Sequence, residues 1–177
     1  FWFAMNTSKR GITLDIETAD GREIFKKMVK SANFIIESFQ PGYLDKLGLG
    51  YSALEKINPG VILVSITGFG QTGPYKDWKT SDIVAWAMGG EMVMWGEAAD
   101  PPVRMSGHSQ AYLCAGADAA MGALTALYHR SIAGEGQQVD VSILESVVQI
   151  DTSNRLPMWQ GRGTVAKRGG GGRGPAK

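Results

Sequence analysis

Apolar and polar side chains alternate over Ile12, Thr13, Leu14, Asp15 and Ile16, which predicts a strand. The period then lengthens. Ile24, Phe25, Met28, Val29 and Ala32 fall on one helical face and Lys26, Lys27 and Lys30 on the other, with Thr18 or Asp20 placed to cap the helix. Phe34, Ile35 and Ile36 form a short continuous apolar strand, followed by a turn at Gln40-Pro41-Gly42 and a helical stretch carrying Leu44 and Leu47. Ser52 is the predicted cap of a further helix through Leu54 to Ile57, which Asn58-Pro59-Gly60 closes. Residues 61–66 are apolar apart from Ser65, the composition of a strand buried on both faces. Helices are predicted over 81–88, 113–129 and 144–150, and a strand over 139–142. Strands alternating with helices in this order predict an α/β fold with a parallel sheet and helices on both faces. Ligands of such sheets bind beyond the carboxyl ends of the strands, here residues 37–40 and 67–70.

Composition narrows the class. The 177 residues are 44% hydrophobic and 20% charged, enough for one sizeable core. A net charge of +1 argues against nucleic acid as a partner, because neutralising phosphates requires a clustered basic excess. The apolar stretch at 83–95 is interrupted by Gly89, Gly90 and Glu91, so no membrane span is expected. A single cysteine, Cys114, allows neither an internal disulfide nor a cysteine-based zinc site; no metal is expected, and a reducing cytoplasm suits it. The chain starts at Phe1 without a methionine and stops after Gly-rich sequence, so a section of a longer polypeptide is expected. Residues 1–160 read as one domain section and 161–177 as a Gly- and Lys/Arg-rich loop or linker.

Specific strings carry the reading further. Asn6-x-x-Lys9-Arg10-Gly11-Ile12-Thr13-Leu14-Asp15 is followed by Ile36-Glu37-Ser38-Phe39-Gln40-Pro41-Gly42 and Leu47-Gly48-Leu49-Gly50-Tyr51. Next come Thr67-Gly68-Phe69-Gly70-Gln71-Thr72-Gly73-Pro74-Tyr75, Pro101-Pro102-Val103-Arg104, and the string from Ala133 to Ser142. In this order they resemble family III CoA-transferases, which include formyl-CoA:oxalate, crotonobetainyl-CoA:carnitine and benzylsuccinate CoA-transferases. The α-methylacyl-CoA racemases are relatives. The resemblance implies an incomplete, Rossmann-like large domain and coenzyme A as a substrate. It also implies an acyl-CoA and a carboxylic acid as reaction partners, and an interlocked homo- or heterodimer with a paralogous subunit.

Residue by residue, the resemblance implies that Lys9 and Arg10 meet CoA phosphates through charge-assisted hydrogen bonds. A solvated basic pair beside a strand is the competing reading. Ser38 and Phe39 match the family's Asn-Phe at a strand end that borders the nucleotide, with Ser in place of Asn. Lys46 matches a basic residue near the adenine or ribose phosphate, against the alternative of an exposed helix lysine. Phe69 and Tyr75 belong to the loop beside the pantetheine arm, where ordinary packing also accounts for them. Arg104 completes the implied CoA contacts. Gly170 and Gly171, within the run Gly169 to Gly172, resemble a glycine loop that closes over the active site.

The family's nucleophile is an aspartate that attacks the acyl-CoA thioester and forms a mixed anhydride. CoA thiolate then opens the anhydride to an enzyme-bound thioester. Anchored on Ser106-Gly107 and Gly116, that position falls on Tyr112, or on Ala111 if the register slips by one. A phenol ionises near pH ~10 and its ester would not serve as the anhydride does. Tyr112 is therefore not expected to act as the nucleophile. Asp118, Glu91 and Glu97 are the other candidate acids nearby. Racemisation is weaker still, because Ser81 occupies the place of the racemase histidine and Tyr112 that of its partner aspartate. The expected function is CoA transfer, carried out as a CoA-binding subunit with an aspartate-bearing partner. The alternative is a catalytically silent CoA-binding or structural protein. The Trp- and Met-rich stretch from Trp86 to Trp95 suits either a bulky apolar substrate or core packing.

Overall fold

The computed structural model describes residues 2–96, 99–103, 108–150 and 155–163. Its elements, in chain order, are α1 (Trp2–Met5), α2 (Ala19–Val29), β1 (Phe34–Glu37), α3 (Tyr43–Lys46), α4 (Tyr51–Leu54) and β2 (Ile62–Thr67). They continue with α5 (Asp82–Met88), a 3-10 turn (Glu91–Met94), α6 (Gln110–Ala133), β3 (Gln138–Ser142), α7 (Ile143–Ile150) and α8 (Arg155–Arg162). Among the described residues the strands form one parallel sheet in the order β1-β2-β3, with Phe34 opposite Ile62 and Leu63 opposite Gln138.

The central strand explains the two layers. Side chains of a strand alternate between faces. Ile62 and Val64 enter a cluster with Ala85, Trp86, Val141, Val147 and the alanines of α6. Val61 and Leu63 point the other way, into a cluster with Val29, Leu44, Leu49 and Leu54. Helices therefore cover both faces of the sheet, as the sequence pattern predicts. Trp86 is buried in the first cluster, so core packing accounts for it.

Helix α6 lies against the sheet through Ala111, Ala115, Ala119, Ala123 and Ala126, spaced at three or four residues. Alanine favours the helix and lets its backbone approach closely; a methyl at Gly122 would stand 2.8 Å from Val139. Arg130 fastens the far end of this helix. Its guanidinium donates to the Gly60 carbonyl at 2.7 Å and to Asn33 Oδ1 at 2.9 Å, tying α6 to the loops before β1 and β2. Asn58 similarly donates to the carbonyls of Val29 and Ala32, closing the end of α2 against the turn before β2.

Two sequence expectations change. Residues 12–16 form no strand, and Ile12 is exposed. Alternation specifies a face but not a hydrogen-bonding neighbour, and none of the described residues pairs with this segment. It leads instead into a turn in which Asp15 Oδ1 accepts from the Glu17 amide and the Thr18 hydroxyl donates to the Asp15 carbonyl. Thr18 then caps α2 by accepting from the Gly21 amide, as expected. Helix α4 begins one residue before Ser52, with Gly50 at the N-cap, so Ser52 lies inside its first turn.

Candidate functional site

A cleft of ≈ 430 Å3 opens beyond the carboxyl ends of the strands. Ser38, Phe39, Gln40 and Pro41, which follow β1, form one side. Ile66, Thr67 and Gly68, at the end of β2, lie beside Ile143, the first residue of α7. Lys76, Trp78 and Thr80 come from the loop before α5, and Tyr112 and Gly116 from the first turns of α6. Its volume lies within the ~300–1,000 Å3 of small-molecule sites, and its place is where parallel sheets bind ligands.

Each wall is fixed by local chemistry. Glu37 Oε2 accepts from the Phe39 amide at 2.7 Å, which sets the turn carrying Ser38 and Phe39. The Phe39 ring packs on Tyr43 with centroids 4.7 Å apart. The Tyr43 hydroxyl donates to Glu17, and this bond raises its pKa. On the opposite side, Asp140 Oδ2 accepts from the Gln71 amide at 2.9 Å and anchors the glycine-rich loop after β2. Positive φ at Gly70 (81°) and Gly73 (88°) gives that loop its path. Phe69 is buried and meets Tyr75 and Trp78 edge-on, at 6.1 and 6.3 Å between centroids, while Tyr75 and Trp78 stand 4.4 Å apart. This aromatic trio supports the wall that presents Trp78.

Tyr112 is held from behind. The buried Asp82 of α5 accepts the Ala111 amide through Oδ1 at 2.9 Å, satisfying a donor at the start of α6 and complementing its dipole. The next residue is Tyr112, and Gly116 follows it one turn later on the same face. Asp118 lies on another face, lining a separate groove with Asp140 and Glu145. Glu91 is buried in the 3-10 turn, outside the cleft lining. Among the described residues that line the cleft there is no aspartate or glutamate; Lys76 is the charged one.

A family model described as CoA-transferase family III matches residues 1–176. The chain belongs to CoA-transferase family III. Among curated members, it is 38% identical over 170 residues to the succinyl-CoA–D-citramalate CoA-transferase of Chloroflexus aurantiacus, covering 96% of this chain and 42% of that protein. It is 37% identical over 162 residues to subunit BbsE of the succinyl-CoA:(R)-benzylsuccinate CoA-transferase of Thauera aromatica, covering 92% and 39%. A crystal structure of a CaiB/BaiF family protein from Brucella suis superposes with a TM-score of 0.85 at 36% identity, covering 92% of this chain and 42% of that one. The chain thus spans about two-fifths of the length of these family III relatives.

Of the residues singled out from the sequence, the cleft brings together Ser38, Phe39 and Tyr112. Phe69 and Tyr75 back it through the aromatic trio. Lys9, Arg10 and Lys46 are exposed and stand outside its lining; the Lys9 ammonium donates to the Met5 carbonyl and to Asn6 Oδ1. Arg104, Glu97, Gly170 and Gly171 lie outside the described residues. His108 and His129 are exposed. Among the described residues no group of three or more His, Cys, Asp or Glu side chains could hold a metal, and no helix is long and apolar enough to cross a membrane.

Sequence reasoning missed Lys76, Trp78 and Thr80 because they fall in an irregular loop. Lys76 immediately follows the Gly-Pro-Tyr string, and that proximity was the available signal. It also missed Asp82, whose role depends on a contact across 29 residues.

Cys114 offers a solution probe of this region. Burial, and then the nearby carboxylates of Asp118, Asp82 and Glu91, push its thiol pKa up. Less thiolate is present at a given pH, so iodoacetamide should modify Cys114 more slowly at pH 8 than it modifies a free thiol. The midpoint of its pH–rate profile should lie above the ordinary thiol value, measured by mass spectrometry of the intact protein. A midpoint at or below that value would contradict the packing around α6.

Proposed function

We propose that this chain is the CoA-binding section of a family III CoA-transferase subunit, and that an aspartate-bearing partner supplies the nucleophile. The observation that carries the proposal is the cleft lining, which includes Tyr112 and, among the described residues, no carboxylate; the sequence spacing that matches the family's aspartate to Tyr112, or to Ala111 with a slip of one, supports it. The overall reaction moves CoA from an acyl-CoA to a carboxylic acid. The Lys76 ammonium suits the phosphates of CoA, Phe39 and Trp78 offer aromatic surface to the adenine or the arm, and Ser38 and Gln40 supply hydrogen bonds. Lys9, Arg10, Lys46 and Arg104 are further phosphate or ribose contacts in this reading. Gly170 and Gly171 are further candidate catalytic residues in this reading. The names of two relatives, a β subunit of a succinyl-CoA–L-malate CoA-transferase and the BbsE subunit, support a two-subunit arrangement. An interlocked dimer in the cytoplasm completes the proposal.

The test uses the full-length protein, alone and mixed with an aspartate-bearing paralogue. CoA transfer from succinyl-CoA is assayed and the enzyme-bound thioester trapped with hydroxylamine. The expected result is CoA binding without turnover by the protein alone, with turnover and trapping when the paralogue is added. Robust turnover alone would overturn the division of labour, and absence of CoA binding would overturn the proposal as a whole. Tyr112→Asp should gain measurable transfer in isolation, because it restores a carboxylate at the cleft wall.

A further inference from the structure

Helix α6 buries only one of its sides. Ala111, Ala115, Ala119, Ala123 and Ala126 face the sheet, while Leu113, Ala117, Ala120, Leu124 and Tyr128 recur at three or four residues on the opposite side. A helix side that meets water ordinarily carries charge, and a helix that is apolar all round is a buried one. Here no exposed residue of α6 is an aspartate, glutamate, lysine or arginine. Leu124 and Tyr128 are 63% and 71% exposed, and Met121 and Ile132 flank them at 57% and 73%. The hydroxyl donors nearby are already engaged within the helix: Thr125 donates to the Met121 carbonyl at 2.9 Å and Ser131 to the Tyr128 carbonyl at 2.6 Å. A contiguous exposed apolar strip of this kind marks an interaction site.

The form of the strip selects its occupant. The small residues Gly116, Ala117 and Ala120 occupy the half nearer the cleft, and Met121, Leu124, Tyr128 and Ile132 the other half. Turned end over end, the strip complements itself: Leu124 falls against Ala117 and Tyr128 against Leu113, with the crossing point between Ala120 and Met121. A parallel copy would set bulk against bulk and leave a gap between the alanines. An antiparallel pair is also what a two-fold axis produces. Helix α6 is about 36 Å long and about 10 Å across, so such a pair buries on the order of 1,000 Å2 in total, the size at which specific interfaces begin. We infer that the outer side of α6 is a homotypic interface, on which α6 of a second copy of this chain packs antiparallel. The inference does not rest on the CoA-binding role. It gives the proposed dimer a surface and leaves an aspartate-bearing paralogue to dock elsewhere.

Cysteine cross-linking of the full-length protein tests it, with every native cysteine, Cys114 included, replaced by serine. In Ala120→Cys the two thiols lie beside the axis, within the ~7 Å Cα spacing that a disulfide requires. Copper-phenanthroline should therefore convert this variant to a species of twice the mass on a non-reducing gel. In Ile132→Cys the two thiols stand about 35 Å apart along the pair, and no cross-link should form. Adding Leu124→Glu to Ala120→Cys sets a charge against an apolar surface and should cut the cross-linked fraction about tenfold. Circular dichroism melts of both cysteine variants should superpose on that of the parent, because both sites face away from the core. Equal cross-linking at the two positions would show a parallel or non-specific contact, and an undiminished cross-link with Leu124→Glu would show that the strip is not the contact; either overturns the inference. Ala120→Cys that stays monomeric overturns it too. A thiol then resistant to iodoacetamide would mean that another part of the full-length chain covers the strip, a freely reactive one that nothing does, and cross-linking only to added paralogue that the occupant is the paralogue. Titration of the same samples with CoA reads the CoA-binding role separately, so either can fail alone.

Discussion

Replacing Gly68 by alanine should cost the full-length protein at least tenfold in CoA affinity. The added methyl would overlap the Thr80 side chain, with the Thr80 Cβ only 2.8 Å away. Threonine is branched at Cβ and has little freedom to swing aside. The backbone at the end of β2 must therefore move, or the loop bearing Thr80, Trp78 and Lys76 must be pushed outward, and both are cleft walls. The Gly68 carbonyl also accepts from the Leu144 amide at 3.1 Å, so displacement spreads to the start of α7 and to Ile143. Overpacking of this kind costs about 1–3 kcal/mol of stability. Calorimetric titration with CoA and a urea melt on the same sample separate the two effects. Wild-type affinity would show that the loop accommodates the methyl and is not a fixed wall.

The second large effect is expected at Gly136, in the approach to β3. Its amide donates to the Pro59 carbonyl at 2.8 Å, and an added Cβ would overlap the carbonyl of Val61, the residue before β2. Here the obstacle is backbone, which cannot rotate away. Gly136→Ala should lose about 3 kcal/mol, seen as a lower urea midpoint at an unchanged slope. Gly116→Ala is the matched contrast: no atom lies within 4 Å of its added methyl, and the position is interior to α6. That variant should gain up to about 1 kcal/mol from helix propensity. Equal destabilisation by the two substitutions would mean that the contact with Val61 is not what constrains Gly136.

Most elements were legible because their cause is local. The capped, amphipathic α2 follows from Thr18 and the spacing of Phe25 and Val29, and β2 follows from an apolar run too short for a helix. The strand expected at residues 12–16 was not legible as a strand or otherwise, because pairing depends on a neighbour that alternation does not name. The helix start at Gly50 rather than Ser52 has a similar cause: Ser52 has the chemistry of a cap, but the turn begins earlier.

The site divides in the same way. The carboxyl-end rule located the loops after β1 and β2, and the family's motifs marked Ser38, Phe39 and Tyr112, all of which meet in the cleft. Lys76, Trp78 and Thr80 reach the same space because Asp140, far along the chain on the neighbouring strand β3, holds the loop after β2, and because the aromatic trio supports it. Asp82 reaches the start of α6 across the fold, and nothing periodic announces that contact.

By itself, then, the sequence determined the α/β class, the order of most helices and strands, and the family whose motifs it carries. These depend on side-chain period, capping chemistry and motif spacing, all of which act over short stretches of chain. The tertiary structure alone decided that Tyr112 faces a shared cleft while Asp118 faces away, and that the described lining contains no carboxylate. Those facts depend on which surfaces meet when helices close over both faces of a sheet, and close packing between distant segments is not written in any local pattern.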